Sequence, residues 1–192
     1  MIKSICVYCS SSNVLEESYK EAAGDFAEAA SSLGLKVICG GSSRGLMGII
    51  IDRMIQKGGR VEGVMPLFMK ELELNHPVLE SIIYVNTLSE RKEKLRETSD
   101  AVVAMPGGLG TLEEFLETFT LKRLGLYDGE TILLNINGFY NGLISLFEQY
   151  ERERFLGKNW RYNLKVAESV PELMDIIRNS TPGRQNPGDY FP

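Results

Sequence analysis

With 192 residues, 43% of them hydrophobic and 24% charged, the chain has the length and balance of one compact domain, able to bury roughly 70% of its unfolded surface. A formal net charge of −5 excludes general nucleic-acid binding, which needs a basic stripe to replace counterions, yet leaves room for a small anionic substrate held by local cations and helix N-termini. No apolar run approaches the roughly 20 residues of a bilayer span, and Met1-Ile2-Lys3-Ser4-Ile5-Cys6 lacks the length and cleavage pattern of a signal peptide, so the expected compartment is the cytosol, with no membrane partner.

In chain order, Ile2 to Tyr8 is predicted as a strand that ends in a polar loop, Cys9-Ser10-Ser11-Ser12-Asn13. A helix follows, with Tyr19, Ala22, Ala23, Phe26, Ala30 and Leu33 at a 3.6-residue period and Gly34 as its C-cap. Lys36 to Cys39 is the second strand, leading through Gly40-Gly41-Ser42-Ser43-Arg44-Gly45 into a helix over Leu46, Ile49, Ile50 and Met54 that Gly58-Gly59 stops. Arg60 to Met65 is a third strand ended by Pro66; residues 67 to 80 hold a short helix and a loop with His76-Pro77. Ser81 to Val85 reads as a strand, and Thr87 opens a charged helix. Asp100 to Met105 is a core strand running into a glycine-rich loop, followed by a helix with Leu112, Phe115, Leu116 and Phe119 on one face. Thr131 to Ile136 is a strand, 139 to 154 a helix and Leu164 to Ala167 the last strand; a terminal helix starts near Pro171.

Strands alternating with helices predict an α/β fold whose parallel sheet is covered on both faces. No internal repeat or linker is visible, so residues 1–180 form a single domain in this reading, and the breaker-rich 181–192 a poorly ordered tail. Cys6 and Cys9 form a Cys-x-x-Cys, but it lies within a strand and lacks a second ligand pair, so with Cys39 they read as small buried residues rather than a metal or redox site.

Two loops leave the carboxyl ends of strands, carry clustered glycines and lead into helices: Gly40 to Gly48 and Gly107 to Thr111. Glycines let backbone approach an anion and the helix offers unpaired N–H groups, so a phosphate-bearing ligand is expected at that sheet edge; taken singly, either loop is equally a tight turn. Gly-x-Gly-x-x-Gly fails because position 113 is Glu113, and no Gly-Lys-Ser/Thr ending marks a Walker site. Thr111 with Glu114, and Thr87 with Glu90, each have the spacing of a capping box. Arg91-Lys92 reads either as a solvated charged face or as cations beside the sheet edge that meet a phosphate. Glu73 and His76 read as loop residues.

Pro106-Gly107-Gly108-Leu109-Gly110-Thr111-Leu112-Glu113-Glu114 resembles the Pro-Gly-Gly-x-Gly-Thr-x-x-Glu signature of the Lonely Guy family, the cytokinin riboside 5′-monophosphate phosphoribohydrolases long labelled lysine decarboxylases. Gly40-Gly41 with Gly45-Leu46-Met47-Gly48 resembles that family's first glycine loop, Glu90-Arg91-Lys92 its Arg-Lys motif, and Asn135-Ile136-Asn137-Gly138-Phe139-Tyr140 its Asn-x-x-Gly-Tyr/Phe-Tyr stretch. The resemblance spans about residues 2 to 178. It implies a Rossmann-like three-layer sandwich with a mostly parallel sheet, a homodimer, and hydrolysis of the N-glycosidic bond of a nucleoside 5′-monophosphate to a free adenine-type base and ribose 5-phosphate. No metal and no cofactor are implied.

The family's functional positions fall on Arg91, Lys92, Gly107, Gly108, Gly110, Thr111 and Glu114, with Glu73, Glu113 and Thr120 added, and with Gly41 and Gly45 in the first loop. Cleavage builds positive charge on the sugar, so Glu114 is the carboxylate expected near the anomeric carbon, with Arg91 on the phosphate, the ribose or the leaving base. The N–H groups of Gly108 to Thr111 would hold the phosphate. The chain departs from the family pattern at Leu88-Ser89, where Met-His is frequent, at Leu121 and Arg123, where Trp and Gln stand, and at Ser10, where glycine is common. Two other readings are a non-catalytic nucleotide-binding module and a pyridoxal-phosphate decarboxylase, the latter requiring a buried lysine for a Schiff base, and no lysine stands out in a core segment.

Overall fold

The computed structural model describes residues 1–183 apart from Glu73 and Asn159. Seven strands, β1 (Ser4–Tyr8), β2 (Lys36–Cys39), β3 (Arg60–Pro66), β4 (Ile82–Val85), β5 (Ala101–Ala104), β6 (Glu130–Leu134) and β7 (Lys165–Ala167), form one sheet in the order β4-β3-β2-β1-β5-β6-β7, with every pairing parallel. The helices between them are α1 (Glu17–Ser32), α2 (Gly45–Gln56), α3 (Leu67–Glu71), α4 (Leu88–Glu97), α5 (Leu109–Arg123), α6 (Asn141–Arg152), α7 (Trp160–Asn163) and α8 (Val170–Asn179). The predicted α/β class and parallel sheet are both present.

The period-2 alternation of the strands sorts side chains into two cores. Ile5, Val7, Val37, Val103 and Leu134 face Phe26, Ile50, Ile51 and Leu173 of α1, α2 and α8, whereas Cys6, Tyr8, Ile38, Val102 and Leu133 face Leu95, Phe115, Phe119, Phe147 and Trp160 of α4 to α7. This is a three-layer sandwich. Cys6, Cys9 and Cys39 are buried and unbridged; burial pushes each thiol up, that of Cys39 to about 11. No described helix is long and apolar enough to cross a membrane.

Three sequence expectations need correction. The fully buried residues of α5 are Thr111, Phe115, Thr118, Phe119 and Lys122, whereas Leu112 and Leu116 are only half-buried at the margin of that face, Leu116 packing against the same core as Phe115 and Phe119. The strand read as Thr131 to Ile136 sits one residue earlier and stops at Leu134, because the Asn135 side chain turns the chain: Asn137 (φ 55°) and Gly138 (φ 70°) take left-handed conformations, and α6 starts only at Asn141. The short α7 carries no periodic signal and was not expected. Of the segment 181–192, residues 184–192 lie outside the described residues; Gly183 donates its N–H to the Asp128 carbonyl at 3.0 Å.

Strand order reverses at β1, with β2 on one side and β5 on the other. The loops leaving β1 and β5 therefore diverge above this switch point, where open α/β sheets bind ligands. They are joined by the Ser10 N–H to the Pro106 carbonyl at 3.2 Å.

Candidate active site

Above the switch point lies a cavity of about 600 Å³, lined by the β1 loop (Cys9 to Ser12), the first glycine loop (Gly40, Ser42, Arg44), Met47, Met65, Met69, Leu74, Arg91, and Gly108 to Thr111 with Glu114. That volume suits a small ligand of nucleotide size.

The two glycine loops are not equivalent. At α2, Leu46 N–H donates to the Ser10 carbonyl at 3.0 Å and Gly45 N–H to Asn13 Oδ1 at 2.9 Å, so two of its first-turn donors are spent on the β1 loop. Gly45 (φ +59°) is glycine because a Cβ there would stand 2.5 Å from the Ser10 carbonyl oxygen; Gly41 (φ +78°) packs against Gly63. Neither lines the cavity, and both serve the crossing of backbones behind it.

At α5 the N-cap is Gly108, with extended φ and ψ and no side-chain cap. The first-turn N–H groups of Leu109 to Thr111 have no acceptor within the helix and carry the positive end of its dipole. Gly108 and Gly110 have open space where a Cβ would be, keeping the approach clear. Gly107 faces the other side of the loop: a Cβ there would lie 2.2 Å from Thr111 Oγ1.

The Thr111–Glu114 capping box does not form, because with Gly108 as N-cap Thr111 already lies inside the helix. Glu114 instead projects into the cavity and pairs with Arg91 Nη1, both side chains being 12% exposed. Burial raises the Glu114 carboxyl above the usual carboxylate range, against the pull of Arg91.

Arg91 is placed by a box that does form. In α4, Glu90 N–H donates to Thr87 Oγ1 at 3.1 Å and the Glu90 carboxylate accepts from Asn86 N–H at 2.8 Å, which leaves the next residue turned toward the sheet. Arg91 Nε then donates to the Val64 carbonyl at 3.0 Å, and Nη2 lies where a Cβ on Gly40 would come within 2.3 Å. Gly40 is therefore the seat of the guanidinium.

The other expected positions fall elsewhere. Lys92 pairs with Glu113 and Glu117 in a ladder between α4 and α5 that also takes in Arg96, outside the cavity. Thr120 is exposed and shares a groove on the outer face of α5 with Leu109, Leu112, Leu116 and Leu121. The reason for both is helical: residues 113, 117 and 120 follow one face, and 111, 114 and 118 another. Glu73 lies outside the described residues. His76 is buried, donates its N–H to the Gly41 carbonyl at 2.8 Å and sets Nε2 3.2 Å from Asp52, so it braces the first glycine loop.

Sequence reasoning missed Arg44, Gly40 as a site residue, and the apolar wall of Met47, Met65, Met69 and Leu74. Arg44 carried a signal, a cation between glycines; the methionines did not, since their spacing is that of ordinary core. It also found no core lysine, and Lys122 corrects this: it is buried, and burial pulls its ammonium below the usual value. It donates to the Gly129 carbonyl at 2.6 Å and lies 3.7 Å from Glu130, roughly 16 Å along α5 from Thr111, at the far end of the sheet from the cavity. Among the described residues no group of three or more His, Cys, Asp or Glu side chains could hold a metal ion.

A family model described as "Possible lysine decarboxylase" matches residues 47–177. The chain is 36% identical over 180 residues to the cytokinin riboside 5′-monophosphate phosphoribohydrolase LOG1 of Arabidopsis thaliana, covering 94% of this chain and 84% of that one. It is 34% identical over 180 residues to the probable cytokinin riboside 5′-monophosphate phosphoribohydrolase LOGL3 of Oryza sativa subsp. japonica, covering 94% and 85%. The fold is shared with the molybdenum cofactor binding protein of Rippkaea orientalis (TM-score 0.70, 18% identity, 93% and 96% covered) and the molybdenum cofactor carrier protein of Chlamydomonas reinhardtii (TM-score 0.70, 18%, 93% and 97%). With identity of this extent running the length of the chain, and with the signature loop opening α5 at the switch point, the chain belongs to the cytokinin riboside 5′-monophosphate phosphoribohydrolase (Lonely Guy) family.

Proposed function

We propose that this chain, as a single nucleotide-binding domain, hydrolyses the N-glycosidic bond of a nucleoside 5′-monophosphate, AMP or an N6-modified relative, giving the free base and ribose 5-phosphate. The observation that carries the reading is a buried carboxylate–guanidinium pair, Glu114–Arg91, set in a nucleotide-sized cavity beside an uncapped helix N-terminus. The 5′-phosphate sits on the N–H groups of Leu109 to Thr111, with Arg44 as a second cation at the rim. The base lies against the apolar wall of Met47, Met65, Met69 and Leu74.

Leaving of the base takes the bonding pair from C1′ and makes the ribose cationic. The Glu114 carboxylate stabilises that charge and accepts a proton from the water that adds to C1′, while the departing base takes up a proton at nitrogen from solvent, to which Glu114 then returns its own. Arg91 holds Glu114 in its ionised, oriented state. Anchoring the phosphate holds C1′ at the carboxylate, so binding energy away from the reacting bond contributes to rate.

The protein acts as a homodimer in this reading. Leu109 is 86% exposed, and Leu112, Leu116 and Leu121 extend the apolar strip along α5, which supports a second copy there.

The reaction is tested by adenine release from AMP across pH. Because the ionised carboxylate is the working form and burial raises its pKa, kcat/KM falls on the acid side with a midpoint above the ordinary glutamate range. A flat profile down through that range, or no release at any pH, contradicts the proposal.

A further inference from the structure

The stretch Asn135 to Tyr140 has no part in the cavity lining, yet its polar groups converge under the signature loop. Asn135 is 1% exposed. Its backbone N–H goes to the Ala167 carbonyl at 2.7 Å, across to β7, and so is not available to the end of β5. Its Oδ1 accepts from Tyr140 N–H at 2.6 Å, and its Nδ2 donates to Asn141 Oδ1 at 2.8 Å and to the Glu168 carboxylate at 3.1 Å. The left-handed pair Asn137–Gly138 closes the turn; a Cβ on Gly138 would come within 2.5 Å of Asn141 Nδ2. The turn delivers Tyr140 inward, 5% exposed, and its phenol donates to the Met105 carbonyl at 2.7 Å.

Met105 is the last residue before Pro106-Gly107-Gly108. Its carbonyl lies past the end of the β5 ladder, where the partner strand has already turned away. Pro106 has no N–H, so that carbonyl is the sole polar group of the peptide joining strand to loop. The next carbonyl, Pro106, is held by Ser10 N–H at 3.2 Å. With both stem carbonyls tied, the loop cannot rotate an oxygen toward the place where the N–H groups of α5 await an anion. A buried carbonyl released from its donor seeks another, and here the glycines beyond it leave the backbone free to turn.

We infer that Tyr140 is a positioning residue: through the Met105 carbonyl it fixes the stem of the glycine loop in the conformation that presents N–H groups to a 5′-phosphate. This rests on the proposed function, in which the phosphate sits at the N-terminus of α5. Burial pushes the phenol up, which keeps it a donor throughout the working range. The hydroxyl touches neither ligand nor cavity.

The test compares Tyr140→Phe with Tyr127→Phe. Tyr127 is also buried and its hydroxyl bonds Ser99 at 3.3 Å, but at the opposite end of the sheet, so it controls for loss of a buried phenol hydrogen bond as such. Affinity for ribose 5-phosphate is measured by calorimetry, KM and kcat for AMP by adenine release, and inhibition by adenosine, which lacks the phosphate. Tyr140→Phe is expected to weaken ribose 5-phosphate and raise the KM for AMP by about tenfold, with kcat within twofold and adenosine inhibition unchanged. Tyr127→Phe is expected to lower the melting temperature as much as Tyr140→Phe does and to leave all four values alone. Equal affinity in Tyr140→Phe and wild type, or equal losses for adenosine and ribose 5-phosphate, overturns the inference. If wild type binds ribose 5-phosphate but releases no adenine, the proposed reaction fails, while the positioning role is still read from the binding ratio. If wild type does not bind ribose 5-phosphate, both fall.

Discussion

Glu114→Gln is expected to fold and to bind nucleotide while releasing adenine from AMP about a thousandfold more slowly, the scale lost when a charged group aimed at a developing transition-state charge is removed. The structure separates this outcome from one due to misfolding. Glu114 is not the cap of its own helix, so no capping interaction is lost. Its raised pKa means that protonation is favoured in the folded state. The stabilising contribution is therefore full below the unfolded-state value and is lost as pH rises through the higher folded-state value. At neutral pH the ionised carboxylate carries its burial cost, offset by Arg91, and glutamine removes both. The Arg91 charge stays buried without its counter-charge, so a loss of about 3 kcal/mol is expected, the low end for removal of one partner of a buried pair because the amide oxygen can still accept from Arg91, with a flatter stability–pH curve between the two values. Thermal melts and single-turnover assays on the same samples check both halves. Full activity in the variant would exclude Glu114 from the chemistry.

Gly40→Ala is expected to act at a distance of one side chain. The new methyl would stand 2.3 Å from Arg91 Nη2 and 3.0 Å from Met47 Cε, too close for either to remain. The guanidinium is the far end of a flexible chain, so it yields before the backbone does. Glu114 is then left in its buried position with its counter-charge displaced. Two effects follow: kcat falls about a hundredfold, as for loss of one preorganised charge, and the acid limb of kcat/KM moves to still higher pH. A pH–rate profile of the variant reads both. If the limb stays where wild type has it, Arg91 does not hold Glu114 ionised.

The layout of the fold could be read from the chain because its signals are local and repeated. Gly34 and Gly58 end helices in left-handed conformations, the strands alternate two cores, and Thr87 with Glu90 caps α4. The glycine loop at 107–111 was legible as a strand-to-helix turn opening α5 for the same reason. What could not be read depends on which helix face a residue takes, and that turned on a single N-cap. Placing the cap at Thr111 would have spent Glu114 on its own helix; placing it at Gly108 frees Glu114 for Arg91 and sends Glu113 and Thr120 outward. Nor does spacing reveal that Gly40 seats a guanidinium supplied 51 residues later, or that the donors of the first glycine loop are used up by Ser10 and Asn13. Those facts belong to tertiary packing.

One measurement bears most directly on the central claim, that a 5′-phosphate held at α5 brings a glycosidic bond to Glu114. Purified protein is incubated with AMP and, separately, with adenosine, and adenine and ribose 5-phosphate are quantified against time. The account predicts adenine and ribose 5-phosphate in one-to-one ratio from AMP, and kcat/KM for adenosine lower by at least about a thousandfold, the phosphate contacts being absent. Equal turnover of adenosine, or AMP bound without release of base, would contradict it.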